Sequence, residues 1–363
     1  MKRVAVTGMG LIDNLGTSPD MCFTNLCNTN EPSTEMSDGD LLCPDDLPRR
    51  MPTGCEYAFH AIEQSLQNVP KSSNVFVTFT SSTLSEDAMY ELMLAHREGK
   101  TRVKPTLIRN SARFVLLDYL VERYDWQGGA VSHSAECVSG MYQILQCMSE
   151  LDRNDYAVLV GIERMTGLRN WVMSLLGTIG NSLPFSKNRT GIRLQDCAYC
   201  LILEDEEKAK ARGATIHGYL HRPHVATDGS QSKFTDPSPI GFRKSMVNAL
   251  QGVKLNDLAF VNAHATGTPL GDPNEYELID ELAPYVPITS YKGKIGHSLT
   301  CATISETIYT IVALSRGIIP RTYTQQCDFD NVMLCNTFTN KKLALKNSLA
   351  FGGKSGSMII EVD

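Results

Sequence analysis

Residues 131–151 read VSHSAECVSGMYQILQCMSEL. A short strand-like run leads into a turn of small residues. A helix-periodic segment then runs from Ser139 to Leu151. Cys137 sits at that junction, where a helix dipole and free N–H groups favour a thiolate over a thiol. That is a position for a nucleophile, and equally for a buried cysteine in a tight turn. The same order recurs in the second half. Ile288–His297 is a strand and a small-residue turn, and Ser298–Ser315 continues as a helix. Each half closes on a strand-rich stretch, Ala198–Glu204 and Met358–Val362. The echo predicts two related halves with a site at their seam.

Apolar strand-like runs recur at Val4–Thr7, Val75–Thr80, Tyr156–Ile162, Ala198–Leu203, Ala259–Asn262 and Met358–Val362. Several are apolar on both faces, as in a sheet covered by helices on both sides. Helical segments are expected at Glu56–Leu66, Asp205–Arg212 and Phe242–Leu250. The alternation predicts an α/β chain. Val4–Thr7 is expected to enter a turn at Gly8-Met9-Gly10. Thr29–Leu47 and Asp228–Pro239 read as polar loops.

Composition narrows the function classes. Of 363 residues, 42% are hydrophobic and 20% charged, enough apolar material for a large core. The formal charge of −6 disfavours a nucleic-acid binder. No run of about 18 apolar residues suggests a membrane span. Eleven cysteines with no recognisable export signal suggest a reducing, cytoplasmic setting. Cys197-Ala-Tyr-Cys200 lies in a strand, where residues three apart face opposite ways, so we expect no metal site there.

Three further segments carry candidate chemistry. His264 leaves an apolar strand in HATGTPLGDPNE (264–275), placed for a pocket or for a structural hydrogen bond. Lys292 and His297 lie in KGKIGH (292–297), ahead of a helix start that would keep His297 neutral. NSLAFGGKSG (347–356) is a Gly-rich turn before the last strand. It lacks the phosphate-loop pattern and leads into a strand, not a helix.

Together these segments resemble the β-ketoacyl synthases, the thiolase-fold condensing enzymes of fatty-acid and polyketide assembly. Arg3–Gly10 looks like the family's first strand. Cys137 matches the nucleophile of its A-C-x-S-G signature, and HATGTPLGD matches H-G-T-x-T-x-x-G-D. KGKIGH matches K-x-x-x-G-H, PFSKNRTG (184–191) matches P-F-D-x-x-R-x-G, and Asn347–Gly353 matches the terminal N-S-F-G-F-G-G turn. The motifs span the chain in order. The resemblance implies a five-layer αβαβα fold of two pseudo-symmetric halves, 1–204 with the cysteine and 205–363 with both histidines. It implies that Cys137 carries an acyl group and that His264 and His297 bind the thioester carbonyl of a malonyl unit on an acyl carrier protein. Cys137 and Phe351 would supply oxyanion N–H groups, and Lys292 would pair with Glu275. Thr266 and Thr268 would hold the carrier's phosphopantetheine arm, with Phe351 as a gate. Arg49, Arg50, Arg102 and Lys104 would dock the carrier. A dimer is implied, with itself or with a ketosynthase-like partner; no metal or other cofactor is.

The chain departs from the family at several points. Glu136 precedes the nucleophile where a small residue is usual, and Ala265 replaces a glycine. Lys354-Ser355 replaces T-N, and Leu194–Ala198 replaces a G-E-G-A-G stretch. The small-residue run after the second histidine becomes Ser298–Ala302. The chain is also short for the family, chiefly before Cys137. A non-catalytic partner of the chain-length-factor type is therefore the alternative. A thiolase would need a cysteine near Phe351, and an initiating condensing enzyme an asparagine at His297.

Overall fold

A computed structural model describes residues 3–37, 41–44, 47, 51–112, 114–228 and 239–363. Its strands, among those residues, are β1 (Arg3–Ile12), β2 (Val75–Thr80), β3 (Ala130–Ser132), β4 (Tyr156–Glu163), β5 (Cys197–Asp205), β6 (Gly218–His221), β7 (His224–Thr227), β8 (Leu258–Asn262), β9 (Ile288–Thr289), β10 (Ile318–Ile319), β11 (Thr337–Phe338), β12 (Leu343–Ala350) and β13 (Lys354–Glu361). The α-helices are α1 (Pro19–Cys27), α2 (Cys55–Leu66), α3 (Glu86–Arg97), α4 (Pro105–Asn110), α5 (Val115–Tyr124), α6 (Ser139–Glu150), α7 (Gly167–Leu175), α8 (Glu206–Ala211), α9 (Pro239–Ala249), α10 (Gly271–Leu282), α11 (Lys292–Ile295) and α12 (Ala302–Ser315).

The main ladder runs β3-β2-β4-β5-β1-β6-β13-β12-β8-β9, with β7 also on β13. It reads the same way outward from the β1/β6 seam. On each side the first two pairings are antiparallel and the next two parallel. The seam itself is antiparallel, with Val4 opposite Leu220.

Side-chain alternation sets the layers. Along β5, Cys197, Tyr199, Leu201 and Leu203 enter a central core with Met141 and Ile144 of α6 and Ile304 and Ile308 of α12. Ala198, Cys200 and Ile202 enter a second core with α2 and α5. Cys197 and Cys200 therefore face opposite ways, as the strand period requires. On the other side, Met358 and Ile360 face the centre, while Ile359 and Leu345 face α9 and α10. Helix, sheet, central helix pair, sheet, helix is the five-layer thiolase architecture.

Three local expectations need correction. Gly8-Met9-Gly10 does not turn; β1 continues through it to Ile12 with a bulge between Val6 and Gly8. The glycines are there because α2 lies on the strand: a Cβ on Gly10 would sit 1.8 Å from the Ala61 carbonyl oxygen. Much of the Gly-rich 347–356 stretch is strand, with a hairpin turn at Phe351–Gly353 whose glycines take φ of 77° and 73°. The helix expected from Ser298 begins as a 3-10 turn, Leu299–Cys301, before α12. Helices α1, α3, α4, α5, α7, α10 and α11 were not foreseen. No helix among the described residues is long and apolar enough to cross a membrane.

Candidate active site at the seam of the two halves

Cys137 lies in a 3-10 turn, Glu136–Val138, immediately before α6. Ser139 Oγ donates to the Glu136 carbonyl (2.6 Å) and accepts from the Ala135 N–H (2.9 Å). Thr303 Oγ1 of α12 donates to the Cys137 carbonyl (2.7 Å), so the opposite half of the fold also holds the turn. A Cβ on Gly140 would come within 2.7 Å of Ile304; its absence lets α6 and α12 approach this closely.

His264 follows β8. Its N–H and that of Ala265 each donate to one oxygen of Glu275 at 2.7 Å. Asp272 accepts from the Gly267 N–H (3.0 Å) and the Phe185 N–H (2.8 Å). The carboxylates of α10 thus shape the turn leaving β8. His297 is held through its backbone, donating to the Arg193 carbonyl at 2.7 Å. Before it, Gly296 takes φ of 66°, and a Cβ there would meet Gln195 at 2.8 Å.

These three segments converge. Cys137 Sγ lies 3.0 Å from His297 Nε2. The thiol sulfur and one nitrogen of each imidazole fall within 4.8 Å of one another, close enough for one ion to bridge them. The two rings meet edge to face, centroids 5.4 Å apart. All three residues are buried, at 8%, 9% and 3% exposure for Cys137, His264 and His297. They open onto a cavity of about 380 Å³ also lined by Thr266, Thr268, Met173, Ile192 and Phe351.

Burial sets the resting charges. It pushes the Cys137 thiol up to about 12; Glu136 adds to the rise and Lys292 opposes it. Burial holds both histidines well below their usual range, and Lys292 and Lys346 push them further down. The site rests as a neutral thiol beside neutral imidazoles, not as the thiolate expected from the helix terminus alone.

The expected Lys292–Glu275 pair is not formed. Both Glu275 oxygens are committed to backbone N–H groups, and the Lys292 ammonium bonds Glu306 instead. The other Glu306 oxygen pairs with Lys346 at 2.7 Å, giving a buried Lys–Glu–Lys triad behind the histidines. Sequence reasoning missed Glu306 and Lys346, although a signal was present. Glu306 is the lone charge in the 14 residues of α12, and Lys346 interrupts an apolar strand. Glu163 was missed too. It accepts from Ser82 N–H (2.9 Å), from Thr83 Oγ1 (2.7 Å) and from Thr300, so it ties β4 to the turn after His297. Arg102 and Lys104 are exposed near the start of α4, and neither lines the cavity. Arg49 and Arg50 lie outside the described residues.

Fold and site together define a thiolase-type condensing protein. A family model, Beta-ketoacyl synthase, C-terminal domain, matches residues 217–326. A putative mitochondrial 3-oxoacyl-[acyl-carrier-protein] synthase of Schizosaccharomyces pombe is 28% identical over 305 residues, covering 75% of this chain and 71% of the relative. The crystal structure of a beta-ketoacyl synthase from Burkholderia phymatum matches with a TM-score of 0.87 at 25% identity, covering all of both chains. The ishigamide ketosynthase/chain length factor matches equally well in fold, TM-score 0.87 at 22% identity, over 100% of this chain and 99% of the other. By these comparisons the chain is a distant relative of the β-ketoacyl synthases, sharing their fold along its whole length.

Proposed function

We propose that this chain catalyses decarboxylative condensation of an acyl group with a malonyl unit on an acyl carrier protein, in fatty-acid or polyketide-type synthesis. The 3.0 Å approach of Cys137 Sγ to His297 Nε2 carries the reading. Cys137 attacks the acyl thioester; the new Sγ–acyl bond replaces the donor's C–S bond, and the thiol proton leaves with the donor thiol. A malonyl thioester then enters. As carbon dioxide departs, its bonding pair becomes an enolate whose oxygen accepts hydrogen bonds from neutral His264 and His297. The enolate carbon attacks the Cys137 thioester; the Sγ–acyl bond breaks as the C–C bond forms, the departing thiolate takes a proton from solvent, and the 3-oxoacyl product stays on the carrier.

Two donors on one oxygen act where charge develops, so they favour the transition state over the ground state. Lys292 and Glu275 are positioning residues in this scheme. Glu275 aims His264 through the backbone, and Lys292 holds the imidazoles neutral. Backbone N–H groups of Cys137 and Phe351 form the oxyanion site for acyl transfer. Thr266 and Thr268 line the route of the phosphopantetheine arm, and Phe351 stands between the acyl and malonyl spaces. Arg102 and Lys104 dock the carrier, and the same role is assigned to Arg49 and Arg50, which lie outside the described residues. Residues 1–204 and 205–363 act as two halves, one bringing the nucleophile and the other the histidines. The working unit is a dimer, of this chain or with a ketosynthase-like partner, in the cytoplasm.

The raised Cys137 thiol and the adjacent Glu136 favour one second reading, a weakly catalytic chain-length-factor-like subunit. Intact-mass spectrometry after incubation with an acyl donor and malonyl-carrier separates the two. An acyl adduct on the wild type that disappears in Cys137→Ala supports the enzyme. No adduct, alone or with a ketosynthase partner, removes it. His297→Ala should abolish condensation while slowing acylation less; equal loss of both steps contradicts the role given to His297.

A further inference from the structure

One charged residue of the cavity has no part in the scheme above. Glu136 is exposed, lines the same cavity as Cys137 and directly precedes it. Its φ is 53°, in the left-handed region that side-chain-bearing residues rarely occupy. The other charged side chains lining the cavity are largely committed, with only the Arg169 Nε left without a partner among the described residues. Arg169 pairs with Glu86 at 2.6 Å and donates to the Ser82 carbonyl at 3.1 Å. Asp272 and Glu275 hold backbone N–H groups. Among the described residues, the Glu136 carboxylate has no hydrogen bond or ion pair. Much of the remaining wall is apolar, including Val172, Met173, Leu176, Leu299 and Phe351.

An acyl chain entering this space passes beside the Glu136 carboxylate and displaces part of its water. A hydrocarbon chain gives nothing in return for that water, which is unfavourable. A chain with an ammonium group near the thioester restores a charged partner. We propose that Glu136 is a specificity residue and that the cavity selects acyl groups carrying an ammonium nitrogen a few bonds from the thioester carbon. The assignment rests on acyl transfer to Cys137. It concerns only which acyl group is taken, so the transfer step keeps its bond and proton balance.

The test compares two donors of matched shape, 3-aminobutanoyl-pantetheine and 3-methylbutanoyl-pantetheine, by the rate of the Cys137 adduct in intact-mass spectra at pH 7. The wild type should favour the amino donor by ~10-fold. Glu136→Gln should bring the ratio near one. It should also speed the neutral donor, because removing the carboxylate eases thiol ionisation. Glu136→Asp should retain part of the preference. Equal rates on the wild type, or a preference that survives in Glu136→Gln, overturns the assignment while leaving acyl transfer intact. No adduct from either donor overturns the acyl-transfer reading, and the specificity assignment falls with it.

Discussion

At the residue scale, the site is built from groups kept uncharged by what surrounds them. Burial and Glu136 hold the Cys137 proton in place up to about pH 12. Alkylation by iodoacetamide, which needs the thiolate, should therefore climb by about tenfold per pH unit from pH 7 to pH 10 without a plateau. A plateau near pH 8 in the mass-spectrometric rate would show a thiol much more acidic than this environment allows. Lys346 contributes from behind, since its ammonium disfavours the charged form of both histidines. Lys346→Met should raise the imidazole pKa values. The acid limb of malonyl decarboxylation then moves to higher pH, a shift that a purely structural role would not produce. Glu306→Ala is the harsher change, because it leaves two buried ammonium groups without their carboxylate. It should cost about 3–5 kcal/mol in urea unfolding.

At the element scale, the close approaches are made by glycines. Gly10→Ala would drive a methyl group into the backbone of α2. Because backbone, not a flexible side chain, stands in the way, the strand and helix must separate. The expected loss is about 1–3 kcal/mol, read from the denaturation midpoint. Those glycines also show where the sequence was legible and where it was not. The two-sided apolar strands β2, β4 and β5 were readable because period and composition agree. Spacing alone left Cys137 and His264 open between chemical and structural readings; it was the resemblance of the motifs, in order, to the β-ketoacyl synthases that grouped them with His297. Gly8 and Gly10 misled, since a glycine needed for close packing has the same letter as one needed for a turn. Helix α10 was hidden by Gly271-Asp272-Pro273, which reads as a turn but starts a helix whose first residues tolerate proline. The partner of Lys292 was hidden for another reason. Glu275 and Glu306 are both within reach in sequence terms, and only the fold shows that Glu275 is occupied by backbone donors.

At the scale of the whole molecule, two features look outward and one looks inward. Strand β3 ends the ladder on one side, and α3 packs against α7 with Met89, Met93, Trp171 and Leu175 left exposed. So much apolar surface is expected to be covered by a second copy of the chain. Sedimentation should give a dimer of the 40.1 kDa chain, shifted toward monomer by Trp171→Asp with Leu175→Asp. A wild type that stays monomeric at micromolar concentration would place the interface with another protein. The inward feature is the seam between β1 and β6. The strands from β1 to β5 end at Asp205, before His264 and His297 have been synthesised. A chain still emerging from the ribosome thus carries Cys137 before either histidine has been made. Thr303, which clamps the Cys137 turn, arrives later still. In chain order, the cysteine therefore precedes every residue that supplies its imidazole neighbours, and the central core joins the two halves around it.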